Sequence, residues 1–185
     1  MPPADRGLIQ IVDGLPRIRF EREAFRHVAP GYQPRGGEGV RIQGGRWNPP
    51  DSFPVLYLAL ERESVVGEFY RRARREGSPP ENLLPRLLYR FRVELRDVLD
   101  LREDSAMEAL GLTQAILTSD DAGSCQAVGD AAHYAGFEAL LAPSATGIGH
   151  TLAVFTDRLR AGSFLEPLDH ETWETLPPLP WSEAR

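Results

Sequence analysis

The stretch from Gly36 to Arg72 constrains the fold more than any other part of the chain. It reads GGEGVRIQGGRWNPPDSFPVLYLALERESVVGEFYRR. Gly44 and Gly45 admit positive φ, and Pro49-Pro50 holds the exit extended, so GGRWNPP is expected to be a turning loop. PVLYLA after it is an apolar run of strand length, Pro54–Ala59. ERESVVGEFYRRARRE then places Val65, Val66, Phe69 and Ala73 on one side of a helix. Glu68 lies one turn from Ser64 and from Arg71 and Arg72 on that helix. A flexible basic loop, a buried strand and an acid-bearing helix are thus forced together in a short span.

The flanking segments read more weakly. Leu8–Val12 and Ile18–Phe20 are short apolar runs around Asp13-Gly14, which predicts a hairpin or strand–turn. Phe25–Val28 reads as a strand carrying Arg26, and Pro30–Gly45 as a loop rich in Gly and Pro. Gly77-Ser78-Pro79-Pro80 is a break. Leu87–Leu95 alternates as a strand with one polar face, and Val98–Leu101 can continue it. Asp104-Ser105 can cap a short helix, Ala106–Leu110, stopped at Gly111; Thr113–Leu117 has no clear pattern. Asp120-Asp121 precede a helix, Ser124–Tyr134, that Gly136 ends. Ala139–Ala142 and Thr151–Thr156 read as strands around a small-residue loop, Pro143–Gly149. From Gly162 onward a short helix and a proline-rich tail are expected. Irregular alternation of short strands and helices favours a single mixed α+β domain over a doubly wound sheet. Its core is expected at about residues 8–160, with tails at 1–7 and 175–185.

Composition narrows the class. At 185 residues the chain can bury a sizeable core. No apolar run is long enough for a membrane span, no secretory signal is visible, and the lone Cys125 fits a reducing, cytoplasmic compartment. Cys and His are too sparse for a zinc site of usual spacing, so no metal is expected. The net charge of −6 argues against nucleic-acid binding by bulk charge. All 21 basic residues are arginine. Arginine suits phosphate and carboxylate, although a GC-rich genome produces the same bias.

Several residues have chemical potential, each beside a plainer reading. Arg46 follows two glycines, so its guanidinium and nearby N–H groups can approach one anion; otherwise it is a solvated turn residue. Arg26 is a further basic candidate, whereas Arg35 and Arg41 read as surface. Trp47 reads as packed on the next strand, and Asn48 as bonded to its own loop. Tyr57 is either a core tyrosine or a ring that stacks on a ligand. Glu68 is either a surface partner of Arg71 or Arg72, or a carboxylate facing a pocket with Arg26 and Arg46. Ser124 reads as a helix cap, Gln126 as a backbone or substrate partner, and Cys125 as a small buried hydrophobe. No G-x-S-x-G elbow or His–acid pair supports a serine hydrolase, and the four histidines share no spacing.

The blocks Gly44-Gly45-Arg46-Trp47-Asn48-Pro49-Pro50, Tyr57-Leu58-Ala59, Glu68, Cys125-Gln126-Ala127-Val128-Gly129 and Pro143-Ser144 together resemble the RES family. These are the toxins of bacterial RES–Xre toxin–antitoxin pairs, named for an Arg, a Glu and a Ser. The resemblance runs roughly from Phe25 to Phe155 and implies a fold like the ADP-ribosyltransferases of the diphtheria-toxin type. It implies a type II toxin that depletes NAD by cleaving the nicotinamide–ribose bond, by phosphorolysis or hydrolysis, with inorganic phosphate as a possible co-substrate. Arg46 and Arg26 would hold the diphosphate, Tyr57 would stack near the nicotinamide, and Glu68 would stabilise the cation. Trp47, Asn48, Gln126 and one of Ser124 or Ser144 would complete the dinucleotide site. A protein mono-ADP-ribosyltransferase on the same scaffold and a non-catalytic binding module are the alternatives. The implied partner is an Xre-like helix-turn-helix antitoxin that blocks the pocket with its C-terminal end.

Overall fold

A computed structural model describes residues 5–180. The order of elements is α1 (Arg6–Asp13), β1 (Arg17–Val28), α2 (Glu38–Gln43), β2 (Val55–Ala59), α3 (Arg62–Arg75), β3 (Arg86–Asp100), α4 (Asp104–Ala109), α5 (Gln114–Thr118), α6 (Gly123–Tyr134), β4 (Ala139–Pro143), β5 (His150–Phe155) and β6 (Phe164–Trp173). The strands form one mixed sheet in the order β1-β2-β5-β4-β3-β6, and β1 also pairs with β3. That extra pairing curls five strands into a barrel-like ring and leaves β6 outside it. Among the described strands only β3 and β4 pair in parallel. β3 is long enough to pair with β1 along one side while serving β6 and then β4 on the other.

The apolar run of β2 reflects burial on both faces. Leu56 and Leu58 point into the ring with Phe20, Phe91, Leu141 and Leu152. Val55 and Tyr57 point the other way, toward Trp47, Val128, Leu140 and Phe155 under the helices. The strand keeps its period of two, but the alternation is invisible in hydropathy. α3 lies across β1 and β2, with Val65 packed against Ala59 and Leu88.

Several expectations need correction. The hairpin expected around Asp13-Gly14 is the helix α1, whose N-cap Asp5 accepts the N–H of Gly7 at 2.8 Å. Leu8, Ile9 and Val12 share the face that packs on the core, a helical spacing hidden in a short run. Residues 164–173 form β6 rather than a helix. Pro167 is accommodated where the β3–β6 register slips opposite Arg90 and Phe91. The Pro30–Gly45 loop contains α2, and the unassigned Thr113–Leu117 stretch is α5, capped by the Thr113 hydroxyl. Ser124 does not cap α6: Ala122 is the N-cap, and Asp121 accepts the Gly123 N–H at 2.9 Å. Of the expected tails, 1–4 and 181–185 lie outside the described residues. Within the described part Arg6 already belongs to α1, and the Tyr70 hydroxyl donates to the Pro177 carbonyl at 2.6 Å.

Candidate active site

The Gly44–Pro50 loop is fastened on three sides. Tyr57 reaches out of β2, accepts the Trp47 N–H at 2.8 Å and donates to Asn48 Oδ1 at 2.9 Å. Burial pushes the Tyr57 hydroxyl above its ordinary range, so it stays a neutral donor. Asn48 donates from Nδ2 to the Val40 carbonyl at 3.0 Å. On the α6 side, Gln126 donates to the Gly45 carbonyl at 2.9 Å. A Cβ on Gly129 would lie 1.8 Å from the Trp47 carbonyl oxygen, so only glycine lets the loop touch the helix. On the third side Arg46 donates to the Ser119 carbonyl at 2.6 Å and, more weakly, to that of Ile116 at 3.4 Å.

This geometry assigns structural work to several candidates. Trp47 is 1% exposed and Asn48 0% exposed. Neither offers a side chain to an outside molecule, which matches their plainer readings. Gln126 acts on the loop backbone. Arg26 donates to the Pro34 and Gly36 carbonyls at 3.1 and 2.8 Å, and burial pushes its guanidinium down to about 10. It pins the Pro30–Gly37 loop. The charges that act on Glu68 are those of Arg71, Arg46 and Arg75 instead. Of the expected Arg26–Arg46–Glu68 grouping, Arg46 acts on the carboxylate, while Arg26 is engaged with the loop carbonyls. Cys125 is fully buried, and burial raises its thiol. Ser124 is exposed on the first turn of α6.

Glu68 and Ser144 do meet. Ser144, 0% exposed, donates to Glu68 Oε1 at 3.3 Å. Its hydroxyl also lies 2.9 Å from Thr146 Oγ1 and accepts the Thr146 N–H at 3.2 Å, which fixes the loop after β4. Glu68 Oε2 has no hydrogen-bond partner among the described residues. Burial raises the Glu68 pKa above the ordinary carboxylate range, against the opposing pull of Arg71, Ser144, Arg46 and Arg75. A partly desolvated carboxylate with one free oxygen is a common feature of functional sites.

Arg71 completes the group, and sequence reasoning treated it only as a surface partner for Glu68. It is 9% exposed and donates to the Ala145 carbonyl at 2.5 Å. It also reaches Ser119 O and Asp120 Oδ1, both at 3.4 Å. Arg46 and Arg71 thus both donate to the Ser119 carbonyl. The available signal was the helical stripe Ser64, Gly67, Glu68, Arg71. Its small members let the 144–149 loop close on α3, with Thr146 against Gly67. A cleft of about 460 Å³ opens beside this group, bordered by Tyr70, Arg71, Arg74, Thr118, Ala145 and Thr146. A second hollow, of about 500 Å³, lies over β1, β3 and β6. Its charged groups neutralise one another, Arg90 with Glu23 and Asp169, and Arg62 with Glu171. It contains no candidate residue. Among the described residues no three of His, Cys, Asp or Glu gather as metal ligands, and no helix is long and apolar enough to cross a membrane.

Residues 15–176 match the RES domain family. The chain is 34% identical over 160 residues to NAD(+) phosphorylase MbcT of Mycobacterium tuberculosis, covering 85% of this chain and 86% of that protein. MbcT of Mycobacterium bovis matches with the same figures. Among solved structures, the M. tuberculosis MbcT–MbcA toxin–antitoxin complex contains a chain with a TM-score of 0.81 and 32% identity. That match covers 92% of this chain and 93% of the other.

Proposed function

The chain belongs to the RES domain family, and from that premise we propose that it is the NAD-depleting toxin of a bacterial toxin–antitoxin pair. The observation that carries the reading is Glu68, with Oε1 held by Ser144 and Oε2 open, beside Arg71 and Arg46. The similarity to MbcT, an NAD(+) phosphorylase, supports the same substrate. The fold is taken as ADP-ribosyltransferase-like, with the dinucleotide placed at the end of β2 beside α3, where Glu68, Arg71 and Arg46 come together.

In this reading Arg46 and Arg71 neutralise the diphosphate, while Glu68 faces the nicotinamide ribose. Oε2 accepts a ribose hydroxyl, and the ionised carboxylate stabilises the positive charge that grows on C1′ as the bond to nicotinamide breaks. Ser144 positions that carboxylate. Raising the Glu68 pKa is the electrostatic cost of keeping an anion in a partly dry site, offset when a cationic transition state arrives. Tyr57 holds the loop and presents its ring edge to Gly45.

Purified protein should release nicotinamide from NAD. Glu68→Gln should lower kcat by about 100-fold or more while staying folded. Full turnover in that variant removes Glu68 from the mechanism. Labelled NAD added to cell lysate separates degradation, which yields free ADP-ribose or its phosphate, from transfer, which yields a labelled protein band. The neutralising partner is taken to be an Xre-like helix-turn-helix antitoxin that fills the pocket with its C-terminal end. An antitoxin truncated by its last residues should then bind but no longer inhibit. The expected place of action is the cytoplasm.

A further inference from the structure

Two carboxylates of α3 hold the two arms of the turn between β4 and β5. Glu61, at the N-cap, and Glu68 are separated by two helical turns, which puts them on the same face. Glu68 takes the Ser144 hydroxyl on the β4 arm at 3.3 Å. Glu61 takes the β5 arm: Oε2 accepts the His150 N–H at 2.7 Å, and Oε1 lies 2.8 Å from His150 Nδ1. Between the arms, the Ser144 N–H donates to the Gly149 carbonyl at 2.9 Å. Hydrogen bonds and one peptide link therefore connect Glu61 through His150, Gly149 and Ser144 to Glu68. A carboxylate at a helix N-cap ordinarily accepts one of the free helix N–H groups. The Glu61 side chain makes no such bond. Nor is it required to neutralise Arg102, whose guanidinium Asp100 takes at 2.9 and 2.6 Å. Both oxygens are spent on His150 instead. Gly149 is suited to that contact: its φ is +62°, and a Cβ there would overlap Glu61 Oε2.

We propose that Glu61 is a positioning residue for NAD cleavage: by clamping His150 it fixes the distance between the turn and α3, and with it the contact of Ser144 with Glu68. The proposal rests on the NAD-cleaving reading of Glu68 and adds a residue that acts through Ser144 without touching substrate. The Ser144–Glu68 bond is already long for a hydroxyl donor, so a few tenths of an ångström of slack in the turn opens it. Freed from Ser144, the Glu68 carboxylate can turn away from C1′, and a displacement of that size at a reacting group is worth up to about 100-fold in rate. Charge and geometry are separable at this position. In Glu61→Gln the amide oxygen can accept the His150 N–H while the amide nitrogen donates to Nδ1 of a neutral imidazole, so both contacts survive without the negative charge. Glu61→Asp does the reverse: the charge stays, but the side chain is one methylene too short to keep both contacts.

The test is the initial rate of nicotinamide release from NAD for the wild type, Glu61→Ala, Glu61→Asp, Glu61→Gln, Ser144→Ala and the double variant Glu61→Ala/Ser144→Ala, each at a temperature where circular dichroism shows it folded. The Glu61 side chain is 38% exposed, so its truncation leaves the core filled. Glu61→Ala and Glu61→Asp should lower kcat by about ten-fold or more and leave KM for NAD within about two-fold. Glu61→Gln should stay within about three-fold of wild-type kcat. The double variant should fall no further than the slower of its two parents, because both remove the same contact. Should Glu61→Ala fail to fold, Glu61→Asp, which keeps an N-cap carboxylate, carries the comparison alone. Wild-type kcat in Glu61→Asp overturns the role while the NAD-cleaving reading stands. A loss in Glu61→Gln as large as in Glu61→Asp overturns it too, since charge would then matter and not position. Losses that multiply in the double variant overturn it by showing a route other than Ser144. A wild type that releases no nicotinamide removes the NAD-cleaving reading and this role with it.

Discussion

Tyr57→Phe isolates one oxygen atom. The ring stays, and with it the packing on the core under the helices. What disappears is a hydroxyl that accepts from the Trp47 N–H at 2.8 Å and donates to Asn48 Oδ1 at 2.9 Å. Both partner residues are buried, so both polar atoms would be left unpaired away from water. An orphaned buried polar group costs about 1–3 kcal/mol. Two of them, with some relaxation of the loop, give roughly 2–5 kcal/mol. For a chain of this size each kcal/mol lowers Tm by about 2–4 °C. Calorimetry should therefore find Tm lower by roughly 4–20 °C in Tyr57→Phe. At a temperature where the variant remains folded, kcat for NAD should stay within about three-fold of wild type, because the hydroxyl is engaged with the loop. A Tm within about 2 °C of wild type would refute the loop-fastening argument. A stable variant that has lost turnover would go further, moving the hydroxyl from the loop to the substrate.

Gly129→Ala should be worse than any surface change, because its Cβ would meet the Trp47 carbonyl oxygen at 1.8 Å and neither backbone can yield cheaply. A loss of about 3 kcal/mol or more, or failure to fold, is expected in urea unfolding. Glu68 has the opposite stability signature. Its folded pKa is raised, so the native state holds the proton more tightly than the unfolded chain. Stability from this group is greatest below the unfolded value and falls as pH rises through the folded one, so Glu68→Gln should be no less stable than wild type at pH ~7. A lower Tm at that pH would contradict this. Glu138 runs the other way. Burial alone would raise its pKa, but the N–H groups of Arg160, Arg96 and Asp97, at 2.7, 2.7 and 3.1 Å, outweigh it and hold the carboxylate below its usual range. Its stabilisation is present above the unfolded pKa and lost as pH falls through the folded one. Glu138→Gln should therefore lower Tm at neutral pH and flatten the acid limb of a Tm–pH curve.

The elements read correctly from sequence are those whose signals are local. Gly44-Gly45 and Pro49-Pro50 mark a loop by backbone sterics alone, and the Val65–Phe69–Ala73 stripe marks α3 by its period. β6 escaped because a polar strand at the edge of a sheet, interrupted by Pro167, owes its form to β3 and not to itself. α1 escaped because a run as short as Leu8–Val12 fits either period, and only contact with the core distinguishes them. The site divides in the same way. Glu68 and Arg46 could be singled out, but the sequence could not tell a guanidinium facing a ligand from one tying down a carbonyl. In the structure Arg26, Asn48 and Gln126 each donate to a backbone carbonyl. Arg71 looked like a surface charge because its burial comes from a distant segment, residues 144–146, closing over α3.

That division also explains how the motif glycines and the acid depend on one another. Gly129 lets α6 touch the Trp47 carbonyl, Gln126 holds the Gly45 carbonyl, and together they set where Arg46 emerges. Gly67 lets the 144–149 loop approach α3, and that approach is what brings Ser144 to Glu68 and buries Arg71. The charges of Arg46 and Arg71 then converge on the Ser119 carbonyl beside the carboxylate. An anionic ligand that competed for those two guanidinium groups would release Ser119 and its neighbours Asp120 and Asp121. A slower amide hydrogen exchange at Ser119–Ala122 without ligand than with pyrophosphate would follow from this contest. Equal exchange in the two states would mean that the arginines keep their carbonyl and that the dinucleotide is gripped elsewhere.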